Sequence, residues 1–229
     1  MIYEISAAGG NITVIESEPS CEDIAARGKE LMALSDTAEQ AGFIIGDSFT
    51  MAGSEFCVNG SRAAAIVLAE FESGEVAYHT SGFSEHVHAE VEKVSDGHFN
   101  VSASFKDLRY SMTMRTACTI VKLPGITHLV LEEPVPDDAR EILAEFIEEY
   151  GLSDDPAVGL ISVNGNAITP LVSVRAIDEI HEETACGSGS IAACLACGIE
   201  KVIQPTGKPI FVKSSDDSLI VTSEMEVLS

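Results

Sequence analysis

The chain has 229 residues, 45% of them hydrophobic and 22% charged, a composition that packs as one large domain or two small ones and does not stay disordered. Thirteen Lys and Arg against 37 Asp and Glu leave a formal charge of −24, which repels phosphate backbones and anionic lipid, so no nucleic-acid or membrane partner is expected. No apolar run reaches the roughly 20 residues that span a bilayer, and Met1-Ile2-Tyr3-Glu4-Ile5 lacks the basic and apolar regions of a signal peptide, so the expected location is the cytoplasm.

Ile2–Ser6 and Ile12–Ile15 read as short strands about Gly9-Gly10-Asn11, a turn that tolerates positive φ. Ser20 followed by Asp23 opens a helix whose apolar face is Ile24, Ala25, Leu31, Met32 and Leu34. Phe43–Ile45 and Phe49–Met51 are predicted strands. After Gly60 the run Ser61–Phe71 is Ala-rich and nearly all apolar, the composition of a helix buried on all sides. From Val76 to Met114, alternation with short turns (Ser73-Gly74, Asp96-Gly97) predicts an antiparallel meander. Cys118–Leu123 and Thr127–Leu131 begin a second set of strands. An acidic amphipathic helix over Asp137–Tyr150 follows, carrying Ile142, Leu143, Phe146 and Ile147. Val158–Val163 and Ala167–Val174 flank the hairpin signal Asn164-Gly165-Asn166. Ser190–Ile199 is a second short apolar helix, and strands close the chain.

Strands, outer helix, strands, buried helix, strands thus occur in that order twice. Cys57-Val58-Asn59-Gly60-Ser61 precedes the first buried helix and Cys186-Gly187-Ser188-Gly189-Ser190 the second. Each is led by a Glu (Glu55, Glu183) and followed by Ala-rich sequence. This weak internal repeat predicts two similar halves facing each other, residues 1–114 and 115–229, with the last strand free to return to the first half.

The six cysteines are expected to be free thiols in a reducing cytoplasm. A Cys just before a helix sits beside unpaired N–H groups at the positive end of the dipole, which stabilises thiolate and lowers its pKa. The same N–H groups bind a carboxylate, and the glycines let backbone approach it. Either Cys alone is most simply a small core residue. Two in a matched repeat suggest more. If the halves face each other, one thiolate takes an α-proton from one face of a ligand while the opposite thiol returns a proton to the other.

At these residues the chain resembles the diaminopimelate epimerase superfamily of cofactor-independent amino-acid racemases and epimerases. Gly10-Asn11, Cys57-x-Asn59-Gly60 and Ala185-Cys186-Gly187-Ser188-Gly189 match its signatures in order, with Val58 where Gly is usual. The resemblance implies an α/β (α+β) fold of two pseudo-symmetric halves, each a curled, mostly antiparallel sheet around a central helix. It implies a site in the cleft between them, Cys57 and Cys186 as catalytic residues, and no cofactor. Asn11, Val58, Asn59, Gly60, Gly187, Ser188 and Gly189 would bind the amino-acid substrate, and a homodimer is left open. Departures lie where diaminopimelate epimerase holds the far end of its substrate. Ile177-Asp178 stand in place of a Glu-Arg pair, and Thr50 and Ile126 in place of asparagines. A closer resemblance is to the histidine racemase branch linked to staphylopine-type metallophores, through Glu39-Gln40-Ala41-Gly42-Phe43, Met51-Ala52-Gly53-Ser54-Glu55-Phe56-Cys57 and Glu183. It implies that Glu39 and Glu183 recognise imidazole, and a carboxylate does accept from an imidazole N–H.

Other features are given plainer readings. His86-x-His88-x-Glu90, with His79 and His98 nearby, suits a divalent metal by spacing, yet a solvated strand face is the reading taken, and no metal is expected. Cys194-x-x-Cys197 lies within the apolar helix and is read as core. Arg62, which follows the first motif, is read as ordering the loop or a carboxylate, or equally as half of a structural ion pair. Two rival functions remain: racemisation or epimerisation of another amino acid such as diaminopimelate, and a non-catalytic small-acid binding module of the same fold.

Overall fold

In the computed structural model, which describes all residues but Glu22, 176–178, Asp216 and the side chain of Glu179, the chain is an α/β protein of two pseudo-symmetric halves. It opens with strands β1 (Ile2–Ala7) and β2 (Gly10–Ser17), helix α1 (Ile24–Met32), then β3 (Ala38–Ile45) and β4 (Ser48–Met51). Helix α2 (Val58–Leu68) follows, then β5 (Gly74–Thr80), β6 (Val87–Ser95) and β7 (His98–Lys106). The second round runs β8 (Ser111–Met114), β9 (Thr119–Leu123), β10 (Ile126–Leu131), α3 (Ala139–Glu149), β11 (Ala157–Asn164), β12 (Ala167–Val174) and β13 (Glu179–Glu182). Helix α4 (Gly187–Cys197), β14 (Lys201–Ile203), β15 (Pro209–Ser214) and β16 (Ser218–Val227) complete it.

The strands form one sheet whose order is nearly a palindrome, β1-β2-β3-β4-β5-β6-β7 followed by β16-β15-β14-β12-β11-β10-β9-β8. Parallel pairs recur at equivalent places. β2/β3 and β10/β11 span the outer helices, while β4/β5 and β12/β14 span the buried ones. β7 and β16 are the antiparallel seam, in register from Lys106↔Ser218 to His98↔Glu226. The far end of β16 also pairs with β1 (Ile5↔Val227), closing the first half's strands into a ring around α2.

Composition explains why the two central helices go inside. Every residue of α2 from Val58 to Ile66 is buried, and its alanines let the surrounding strands approach closely. Helix α4 is buried likewise from Gly189 to Cys194. Both begin three residues before the apolar runs, because the cysteines themselves cap them. Helix α1 stops at Met32, so Leu34, expected on its apolar face, lies beyond the helix and is 68% exposed. The meander also ends early, since β8 pairs with β9 and not with β7. His86 precedes β6, leaving only His88 and Glu90 to alternate on that strand; its ring lies 3.8 Å from that of His79. Among the described residues no helix is long and apolar enough to cross a membrane.

Candidate functional site

The repeated motif is a repeat of geometry. Cys57 caps α2 with φ −128° and ψ 117°, and Cys186 caps α4 with φ −123° and ψ 107°. Each sulfur accepts from the N–H three residues on, Gly60 at 3.2 Å and Gly189 at 3.3 Å. Each serine four residues on donates back to the cysteine carbonyl, Ser61 and Ser190 both at 2.7 Å. The two helix tips touch: Asn59 Nδ2 donates to Ala185 O at 3.0 Å, and Gly187 rests against Val58.

Beyond this shared frame the thiols differ. Cys57 is half-buried and donates its S–H to Gln40 Oε1 at 3.1 Å. Cys186 is 5% exposed; its N–H donates to Gln204 Oε1 at 2.8 Å, and its sulfur lies 3.6 Å from Ser188 Oγ. Ser188 Oγ is in turn 2.9 Å from Nε2 of His128. Burial pushes His128 down to about 3, so it is neutral at pH 7, and its Nδ1 is buried without a partner. The tautomer that leaves no unpaired N–H carries the proton on Nε2 and donates to Ser188. Ser188 O–H is then free to donate to the Cys186 sulfur.

The expectation of lowered thiol pKa values is overturned by the fold. Burial pushes Cys57 up to about 11 and Cys186 up to about 12, and Glu183 adds to both. The helix N–H groups of Gly60 and Gly189 pull the other way without matching it. Desolvation of a sulfur anion in an apolar shell outweighs the dipole.

Asn11 is the hub on the other side, buried and at φ 43°, in strand β2 and not in the preceding turn. Its side-chain oxygen accepts from Asn59 Nδ2 at 2.7 Å and Gln40 Nε2 at 2.9 Å. Its side-chain nitrogen donates to Glu39 Oε2 at 3.1 Å and Glu183 Oε2 at 3.0 Å. Its backbone N–H is shared between Glu39 Oε1 and Thr184 Oγ1. Burial, then the charge of Glu39, pushes Glu183 up to about 7, against the Asn11 hydrogen bond. Glu55, which leads the first motif as Glu183 leads the second, is exposed and outside this network.

The structure therefore brings together Asn11, Glu39, Cys57, Val58, Asn59, Gly60, Glu183, Cys186, Gly187, Ser188 and Gly189. Thr50 lies on β4 and Ile126 on β10, while Ile177 and Asp178 lie outside the described residues. Sequence reasoning did not single out Gln40, His128, Thr184 or Gln204. For Gln40 the signal is a fold irregularity, since the β2/β3 register passes from Ile12↔Ala38 to Thr13↔Gln40 and leaves Glu39 as an extra residue. That bulge lets Glu39 and Gln40, adjacent in the chain, both reach Asn11. Cys194 is buried with its sulfur 3.8 Å from Val212 O, and Cys197 packs against the core.

A family model described as the histidine racemase CntK N-terminal domain matches residues 7–217. The chain is similar to a histidine racemase from Fusobacterium nucleatum subsp. nucleatum, 25% identical over 233 residues that cover 92% of this chain and 88% of that protein. Among solved structures it is similar to a Pseudomonas aeruginosa protein described as a predicted epimerase, with a TM-score of 0.69 and 15% identity over 100% of this chain and 96% of that one. A Bacillus anthracis phenazine biosynthesis protein of the PhzF family gives a TM-score of 0.63 at 10% identity, with the same coverage. These two structures share the fold.

Proposed function

Because the chain belongs to the family of the histidine racemase CntK N-terminal domain, we propose that it is a cofactor-independent racemase of histidine, with Cys57 and Cys186 as its two proton-transfer groups. The observation that carries this reading is the pair of N-cap cysteines in one geometry on touching helix tips. The first N–H groups of each helix have no intrahelical partner and suit the substrate carboxylate. One thiolate removes the α-proton, leaving an enolate-like carbanion held by those N–H groups. The opposite thiol delivers its proton to the other face. Protons balance, and the two sulfurs exchange roles with each turnover.

Substrate identity is read from the far side of Asn11. Glu39 and Glu183 converge there on one amide, and an imidazole N–H offers each carboxylate a better donor than water. Binding would also return Glu183 to its ionised form.

The test is α-proton exchange followed by NMR in D₂O, with L-histidine, L-alanine, L-glutamate and meso-diaminopimelate offered separately. Deuteration and racemisation of histidine alone, lost in both Cys57→Ser and Cys186→Ser, is the expected result. Exchange on a different amino acid would keep the thiols and discard the glutamate assignment. No exchange on any of the four would leave the binding-module reading.

A further inference from the structure

Arg62 is 0% exposed and heads the largest fully buried side chains. In a chain with 37 acidic residues, no carboxylate among the described residues lies within ion-pair distance of it. Its partners are neutral: the Asn59 side-chain oxygen and Ser223 Oγ at 2.5 Å, with Nε left unpartnered. A buried guanidinium without an anion is costly, and such a group persists where something else requires it.

What it touches shows what requires it. A guanidinium only donates, so the bond from Arg62 fixes Asn59 with its oxygen inward and its nitrogen outward. Asn59 Nδ2 then donates to Ala185 O, beside Cys186, and to the oxygen of Asn11. Asn11 Nδ2 donates to Glu39 and Glu183. Every amide in the series points the same way, from a buried cation to paired carboxylates. Arg62 also sits in the second turn of α2, adding to the positive end of the dipole at Cys57.

We infer that Arg62 is a positioning residue for the proposed racemisation, the buried counter-charge to the thiolate and the carbanion, acting through the oriented amides of Asn59 and Asn11. The inference rests on the two-thiol reading. The anion missing from the Arg62 environment at rest is the one that turnover supplies. Burial lowers Arg62 to about 10, opposed by the Cys57 sulfur and the Tyr78 oxygen, so it remains a cation at pH 7. Among the described residues, the charges of Glu55 and Glu183 raise Cys57, its sulfur acts on Cys186, and Arg62 is the cation on which that sulfur acts.

The experiment compares the unsubstituted protein with Arg62→Met, Arg62→Lys and Ser223→Asp. It reads site-resolved iodoacetamide labelling of Cys57 against pH, with kcat and KM for the racemised substrate. Arg62→Met should raise the Cys57 labelling midpoint by about one unit and lower kcat about 100-fold with KM within a few-fold. Arg62→Lys keeps the charge and should restore the midpoint. Ser223→Asp gives Arg62 a carboxylate at Nη1, the nitrogen that Asn59 does not hold, so it should raise the midpoint with the arginine intact, and it stands if Arg62→Met does not fold. A folded Ser223→Asp protein with unchanged midpoint and kcat overturns the inference. Failure of the unsubstituted protein to exchange any α-proton overturns the racemase reading instead.

Discussion

A methyl group on Gly187 would stand 2.7 Å from Asn59 Oδ1, so only glycine lets the tip of one buried helix rest on the tip of the other. Asn59 cannot yield, because its oxygen is held by Arg62 and its nitrogen by Asn11 and Ala185. Gly187→Ala should therefore push the two cysteines apart. Overpacking of this kind costs about 1–3 kcal/mol, and a misplacement approaching 1 Å can cost about 100-fold in rate. Melting and racemisation measured together check it. A modest loss of stability with a large loss of kcat is expected, while the equivalent loss from a surface alanine is not.

Glu183 gives a pH signature whose sign is fixed by its shift. Its folded pKa, about 7, lies above the ordinary carboxylate value, so the fold favours the protonated form. The unfolded chain ionises first as pH rises, and stability of the protein alone in buffer should fall between roughly pH 4.5 and 7. The loss is on the order of 2 kcal/mol once the partial exposure of this side chain is allowed for. Glu183→Gln should flatten that window and be the more stable protein at pH 8, yet show a raised KM for histidine. Equal melting profiles at pH 5 and 8 in the unsubstituted protein would contradict this.

Ser188 is expected to matter to one thiol only. Its hydroxyl lowers the pKa of Cys186, opposing the burial that drives it up, and its orientation is set by neutral His128. Ser188→Ala should move the Cys186 labelling midpoint further up by roughly half a unit to one unit, and leave Cys57 unmoved. His128→Phe, which keeps an aromatic ring, if a larger one, and removes the donor, should give part of the same shift. A shift of both thiols would argue for a general distortion.

Asp23 provides a control remote from the site. Its carboxylate caps α1 through the N–H of Ala26 at 3.0 Å. Asp23→Ala should cost about 0.5–2 kcal/mol of stability with kcat and KM unchanged. Thermal melting with parallel kinetics checks it, and a change in KM would mean that α1 bears on the site.

The two buried helices, the hairpin at Asn164–Ala167 and the matched cysteines were legible in the chain, because each is written in local order. Apolar runs with alanines mark a helix that must go inside, a turn dipeptide marks a hairpin, and a motif repeated before equivalent helices marks equivalent positions. Tertiary structure decided the rest. A bulge aims Glu39 and Gln40 at the same asparagine, where strict alternation would send them to opposite faces. His128, 58 residues before Cys186 in the chain, is brought to Ser188 by the seating of α4 against β10. Helix-end electrostatics predicted low thiol pKa values, and burial reversed the sign. Burial likewise left Arg62 a cation whose partners among the described residues are neutral. The depth at which a group is finally buried, and what shares that space with it, are set by elements far apart in the sequence, and desolvation depends on both.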